Sequence, residues 1–72
     1  MQFKMKITVG VVGLGLIGAS FAKAYKENEE EATVYGWNRT KSVTQMAQMQ
    51  GIIDGELTDE NLGKCDLVIL SL

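Results

Sequence analysis

Gly13-x-Gly15-x-x-Gly18 is the pattern in this chain that bears most directly on ligand binding. It lies inside Gly10-Val11-Val12-Gly13-Leu14-Gly15-Leu16-Ile17-Gly18-Ala19-Ser20, with β-branched residues before it and helix formers after it. At that spacing each glycine has its own task in holding a dinucleotide. Gly13 permits a tight strand-to-helix turn. Gly15, without a side chain, lets a pyrophosphate approach the backbone. Gly18 lets the helix pack close to the strand. Leu16 and Ile17 open that helix with N–H groups that lack an intrahelical acceptor, at the positive end of the helix dipole. The same glycines would serve a plain tight turn in an unrelated α/β protein; the strand before and the helix after favour the dinucleotide.

In such sites the residue that decides ribose chemistry lies about 20 residues past the last glycine. Here that is Asn38, at the end of Val34-Tyr35-Gly36-Trp37. An acid at this place accepts both ribose hydroxyls and repels a 2′-phosphate, which selects NAD. Asn38 has no charge, Arg39 can pair with a phosphate, and Thr40 can donate a hydroxyl. NADP is therefore favoured over NAD. The bland reading is that Asn38 and Thr40 shape the turn and cap the next helix while Arg39 is solvated. Ser71 and Leu72 fall at the carboxyl end of the last strand, the edge where open parallel sheets bind ligands, and join the cofactor-binding candidates. Tyr35 and Trp37 could form an adenine platform, although packing is the commoner use of strand aromatics. Cys65 reads as a buried or indifferent thiol, and Met46 and Met49 read as core filling. The chain has no histidine and one cysteine, which leaves no zinc ligand set and no disulfide.

The secondary structure around these residues follows from hydrophobic period. Ile7 to Val12 is nearly continuous in apolar residues, as a strand buried on both faces of a parallel sheet would be. Leu16 to about Asn28 favours helix, with Ile17, Phe21 and Ala24 on one face. The acidic run at 29–31 reads as a solvated turn. Ala32 to Trp37 reads as a second strand. A helix runs from about Lys41 to Gln50, with Gly51 where a glycine stop belongs. Ile52-Ile53 could be a very short strand. Thr58 can cap a brief helix ending near Gly63, with acids at its positive end. Asp66 to Leu72 reads as another buried strand. The order β-α-β-α-(β)-(α)-β predicts an α/β fold, a Rossmann-like parallel sheet with helical crossovers. Because the chain stops on a buried strand with no crossover after it, the fold reads as truncated after the strand ending at Leu72.

Seven Lys+Arg against nine Asp+Glu give a net charge of -2, with no basic stripe for nucleic acid. The apolar stretch from Ile7 to Ala24 is interrupted by four glycines and reads as neither membrane span nor signal peptide. The single thiol points to a reducing compartment, the cytoplasm.

Val12-Gly13-Leu14-Gly15-Leu16-Ile17-Gly18-Ala19-Ser20 resembles the start of the prephenate dehydrogenases, enzymes of tyrosine biosynthesis. The resemblance runs from about Ile7 to Leu72 and includes the Asn38-Arg39 pair, the Gly51-Ile52-Ile53-Asp54 segment and the last strand. It implies that residues 1–72 are the first part of an NAD(P)-binding Rossmann domain, with a C-terminal helical domain outside this chain. It also implies an oxidoreductase that takes prephenate, or the related arogenate, to its decarboxylated product with NAD(P)+, as a homodimer built by that helical half. Many members carry Asp at the place of Asn38. The family's catalytic histidine and substrate residues fall outside these 72, so no catalytic residue is assigned and the chain alone is expected to be inactive. β-Hydroxyacid dehydrogenases resemble the chain at Trp37-Asn38-Arg39-Thr40, but usually carry Met before the third glycine. A non-catalytic nucleotide-binding module, or a truncated product that self-associates, are the remaining readings.

Overall fold

In the computed structural model, residues 7–13, 15–28 and 32–71 are described, apart from the side chains of Leu16 and Ile17. The acidic run at 29–31 and Leu72 lie outside the described residues. The chain order is β1 (Thr8–Val12), α1 (Leu16–Asn28), β2 (Thr33–Trp37), α2 (Lys41–Met49), β3 (Gly55–Glu56), α3 (Asp59–Leu62) and β4 (Leu67–Leu70). The four strands form one sheet in the order β3-β2-β1-β4, parallel throughout. The alternation of strands and helices therefore folds as its pattern predicts.

β1 is central, flanked by β2 and β4. Side chains alternate across a strand, so Val9 and Val11 share one face. That face is covered by α1 and α2, and the core there is Val9, Val11, Val34, Ala22, Ala47 and Ile53. Gly10 points to the other face, where Leu57 and Cys65 close over it; a Cβ on Gly10 would lie 3.0 Å from the Cys65 sulfur.

Three inward faces differ from the sequence pattern. In α1 Gly18 and Ala22 are buried and Phe21 packs against the core as expected, while Ala24 is exposed. Only small side chains fit where the helix lies close to the sheet. In α2 the inward residues are Thr44 and Ala47, one helical turn apart. Met46 sits about 200° around the helix from Thr44, and Met46 and Met49 are solvent-exposed rather than core-filling. β4 is an edge strand, with Leu67, Val68 and Leu70 exposed, so its apolar run is not buried on both faces.

The short third strand also lies three residues later than Ile52-Ile53 suggested. The Gly51 and Ile52 N–H groups turn back to the carbonyls of Gln48 and Ala47 at 3.1 and 2.9 Å, a Schellman stop on α2. Gly51 takes the positive φ of 74° that this stop requires. Ile53 drops into the core, and the ladder begins only at Gly55.

What starts the ladder is Asp54. Its N–H donates to the Val34 carbonyl at 2.7 Å, and its carboxylate accepts the Val34 N–H at 2.7 Å. Lys26 at the end of α1 donates to both oxygens of the same carboxylate, at 2.9 and 3.0 Å, and to the Ala32 carbonyl at 3.1 Å. Asp66 makes the same two-way clasp on β1. Its N–H donates to the Thr8 carbonyl at 2.7 Å and its carboxylate accepts the Thr8 N–H at 2.8 Å. Both clasps close the amino edge of the sheet. Asp54→Ala strands a half-buried N–H and should lower unfolding free energy by about 2 kcal/mol. Asp66→Ala, at a more exposed N–H, should cost about 1 kcal/mol. Urea unfolding followed by circular dichroism measures both, and an unchanged midpoint for Asp54→Ala would contradict the clasp.

Candidate dinucleotide site

The carboxyl edge of the sheet is built around Gly13. It follows β1 directly, takes φ 91°, and donates its N–H to the Trp37 carbonyl at 2.7 Å, which ties the end of β1 to the end of β2. A Cβ on Gly13 would collide with the Ser71 carbonyl oxygen. Ser71 is held there by its N–H, which donates to the Val12 carbonyl at 2.8 Å. A Cβ on Gly18 would collide with the Gly13 carbonyl oxygen and lie 3.3 Å from the Ser71 Cβ. The turn is thus closed on two sides, by β4 and by its own helix.

Gly15 is the opposite case. It is exposed, and a Cβ there would meet nothing within 4 Å. Its carbonyl accepts the Ala19 N–H at 2.9 Å, the first turn of α1. The N–H groups of Leu16, Ile17 and Gly18 precede that bond, and the first N–H groups of any helix have no intrahelical acceptor. Open space over Gly15 beside such donors is what a pyrophosphate needs. The residues present fit a dinucleotide's diphosphate.

At the end of β2, Asn38 is half-buried and donates its side-chain amide to the Thr40 carbonyl at 3.3 Å. Arg39 and Thr40 are exposed. Thr40 stands at the N-cap of α2, but its hydroxyl makes no capping bond. So Asn38 does shape the turn, while Thr40 and Arg39 stay turned to solvent.

Beside this turn is a cleft of about 440 Å³ lined by Val12, Trp37, Leu57, Thr58, Asp59 and Leu62. Trp37 is 42% exposed, so its ring is not consumed by packing as strand position alone suggested. Tyr35 is half-buried and lies over Gly55, 3.6 Å from where a Cβ would be. The cleft's rim is fixed by a capping box on α3: the Thr58 N–H donates to Asn61 Oδ1 at 2.6 Å, and the Asn61 N–H donates to Thr58 Oγ1 at 3.3 Å. Asn61 also donates to the Glu56 carbonyl at 2.9 Å. Thr58 was legible as a cap; Asn61 as its reciprocal partner was not, because such boxes usually carry Glu or Gln there.

Cys65 lies under this face. Burial pushes its thiol above the ordinary range and the Asp66 carboxylate adds to that, which disfavours the thiolate. Among the described residues no cluster of carboxylates and thiols could hold a metal ion, and no helix is long and apolar enough to cross a membrane. Asp66, clasped to Thr8, is at the amino edge, away from the glycine turn.

Residues 8–72 match the family described as the NAD binding domain of 6-phosphogluconate dehydrogenase. The chain belongs to that family. It is an NAD-binding Rossmann segment. No curated protein sequence matches it. Among solved structures it is similar to the prephenate dehydrogenase from A. aeolicus in complex with hydroxyphenyl propionate and NAD+, at 29% identity and a TM-score of 0.79. All of this chain is covered, but only 26% of that one, so the chain spans about a quarter of the neighbour's length.

The geometry separates the glycines by role. Gly13→Ala should cost about 3 kcal/mol or more, from backbone overlap and a disfavoured φ. Gly15→Ala should change stability by no more than about 0.5 kcal/mol. Thermal unfolding of the two variants checks this; equal losses would contradict the assignment of Gly13 to structure and Gly15 to open space.

Proposed function

We propose that the chain is the dinucleotide-gripping segment of a prephenate dehydrogenase, and that it prefers NADP over NAD. The observation that carries the grip is the pairing of a walled-in Gly13 with an open Gly15 at the start of α1. In this reading Gly13, Gly15 and Gly18 form the cradle. The backbone N–H groups of Leu16 and Ile17 donate to the diphosphate. Ser71 and Leu72 border the cofactor at the end of β4. The adenine ring enters the cleft against Trp37, and the ribose it carries lies toward Asn38, the next residue.

The preference for NADP rests on charge. A 2′-phosphate near Asn38 would meet Arg39 and the uncommitted Thr40 hydroxyl, with no acid on that turn to repel it. The similar solved structure holds NAD+, so this preference is a property proposed for the turn 38–40 of this chain.

When bound, the dinucleotide supplies the ring that accepts a hydride. The chain's own residues hold and orient it. The prephenate assignment rests on the Leu16-Ile17-Gly18-Ala19-Ser20 continuation and on the 29% identity over the whole chain. β-Hydroxyacid dehydrogenases are the second reading, favoured by Trp37-Asn38-Arg39-Thr40. A catalytic histidine, the helical domain and the dimer it builds, and a cytoplasmic setting all belong to the proposed whole enzyme. By itself the chain should bind without turnover.

Trp37 is the single tryptophan and lines the cleft, so its fluorescence reports occupancy. NADP+ should quench it with at least tenfold tighter binding than NAD+, a gap of about 1.4 kcal/mol. Arg39→Ala should remove most of that gap while leaving NAD+ binding within about twofold. Equal affinity for both dinucleotides in the unaltered chain would overturn the NADP preference. Saturable binding of neither would overturn the grip. Formation of 4-hydroxyphenylpyruvate from prephenate by the purified chain would overturn its proposed inactivity.

A further inference from the structure

We infer that Asp59 makes the cleft selective for the adenine base, by accepting a hydrogen bond from its exocyclic amino group. This rests on the proposed placement of adenine against Trp37. The walls of the cleft are apolar, from Val12, Trp37, Leu57 and Leu62, and among the described residues Asp59 is the one charged residue on its lining. A flat ring fits such walls, but apolar walls alone do not distinguish one purine from another. Discrimination needs a polar group with a fixed position.

The backbone that carries Asp59 has a fixed position. Asp59 is the first residue of α3, directly after Thr58, and the Thr58–Asn61 capping box pins this turn with reciprocal bonds. Asn61 further ties the turn to the Glu56 carbonyl at the end of β3. Among the described residues no hydrogen bond or ion pair engages the Asp59 carboxylate. A carboxylate only accepts. The edge of adenine offers an amino donor at C6, whereas hypoxanthine and guanine offer a carbonyl oxygen there. That oxygen facing a carboxylate is repelled, and the acceptor loses its partner.

The alternative role for Asp59 is purely local, as an acid at the positive end of a four-residue helix. The two roles separate cleanly. A local or general charge effect moves the affinity of every dinucleotide together. Base selection changes the ratio between bases.

The test is calorimetric titration of the chain with NADP+ and with its hypoxanthine analogue, which carries a carbonyl oxygen for the amino group and a proton on the neighbouring N1. The unaltered chain should bind NADP+ at least tenfold more tightly than the analogue. Asp59→Asn, whose amide can donate as well as accept, should shrink that ratio to about twofold or less. Glu60→Gln, one residue along and off the cleft lining, should keep it. If Asp59→Asn proves unstable by circular dichroism, Asp59→Ser serves in its place. Equal binding of the two dinucleotides by the unaltered chain, or a ratio unchanged by loss of the carboxylate, would overturn the role of Asp59 and leave dinucleotide binding intact. Binding of neither dinucleotide would overturn both.

Discussion

The Ser71 carbonyl occupies the space that a side chain on residue 13 would need, and the Gly13 carbonyl occupies the space that one on residue 18 would need. Three elements meet at this close approach: the end of β1, the start of α1 and the end of β4. The Gly13 N–H bond to the Trp37 carbonyl adds β2 as a fourth. Close approach of this kind excludes every larger residue, because packed interiors leave no spare volume of a methyl group and yield little to one. The parallel strands could pair without it, but the helix could not then start so near the sheet. The first N–H groups of α1 and the turn at Asn38 hold their relative places because both hang from this junction.

The opposite edge of the sheet has a different logic. Asp54 and Asp66 each grip the backbone of the neighbouring strand with an N–H and a carboxylate together. These clasps spend the carboxylates on backbone donors at the amino edge. The carboxyl edge carries exposed backbone at Gly15, a half-open aromatic at Trp37, cationic Arg39 and, across the cleft, Asp59. The carboxylate clasps and the exposed backbone of the glycine turn therefore sit at opposite ends of the same sheet. That division suits a small sheet, whose core of valines and alanines has little surplus stability to lose to a site.

Much of this was legible in the sequence, and the parts that were not share a cause. The glycine spacing, the strand before it and the residue at position 38 report local backbone chemistry, and each lies where its pattern places it. Thr58 and Gly51 were legible for the same reason, since a cap and a left-handed stop are local. Burial was less legible because it depends on what covers each face. Leu67, Val68 and Leu70 have the composition of a buried strand, yet they are exposed in this segment. Met46 and Met49 are apolar, but the inward stripe of α2 passes through Thr44 and Ala47. Ile52 and Ile53 have strand propensity, but the Schellman stop and the Asp54 clasp delay the ladder to Gly55. The openness of Trp37 also follows from tertiary context, since the cleft beside it is formed by residues 20 to 25 positions away along the chain.

One edge of the sheet is proposed to grip a dinucleotide through the backbone of the glycine turn. Amide chemical-shift mapping of the chain with added NADP+ tests it most directly, because it reports each N–H separately. The largest shifts should fall on Gly13, Gly15, Leu16, Ile17 and Gly18, with the Trp37 indole, Arg39 and Asp59 moving as well. The amides of Val34, Asp54 and Asp66 at the amino edge should stay still. Shifts centred on the amino edge, or scattered without the glycine turn, would contradict the claim.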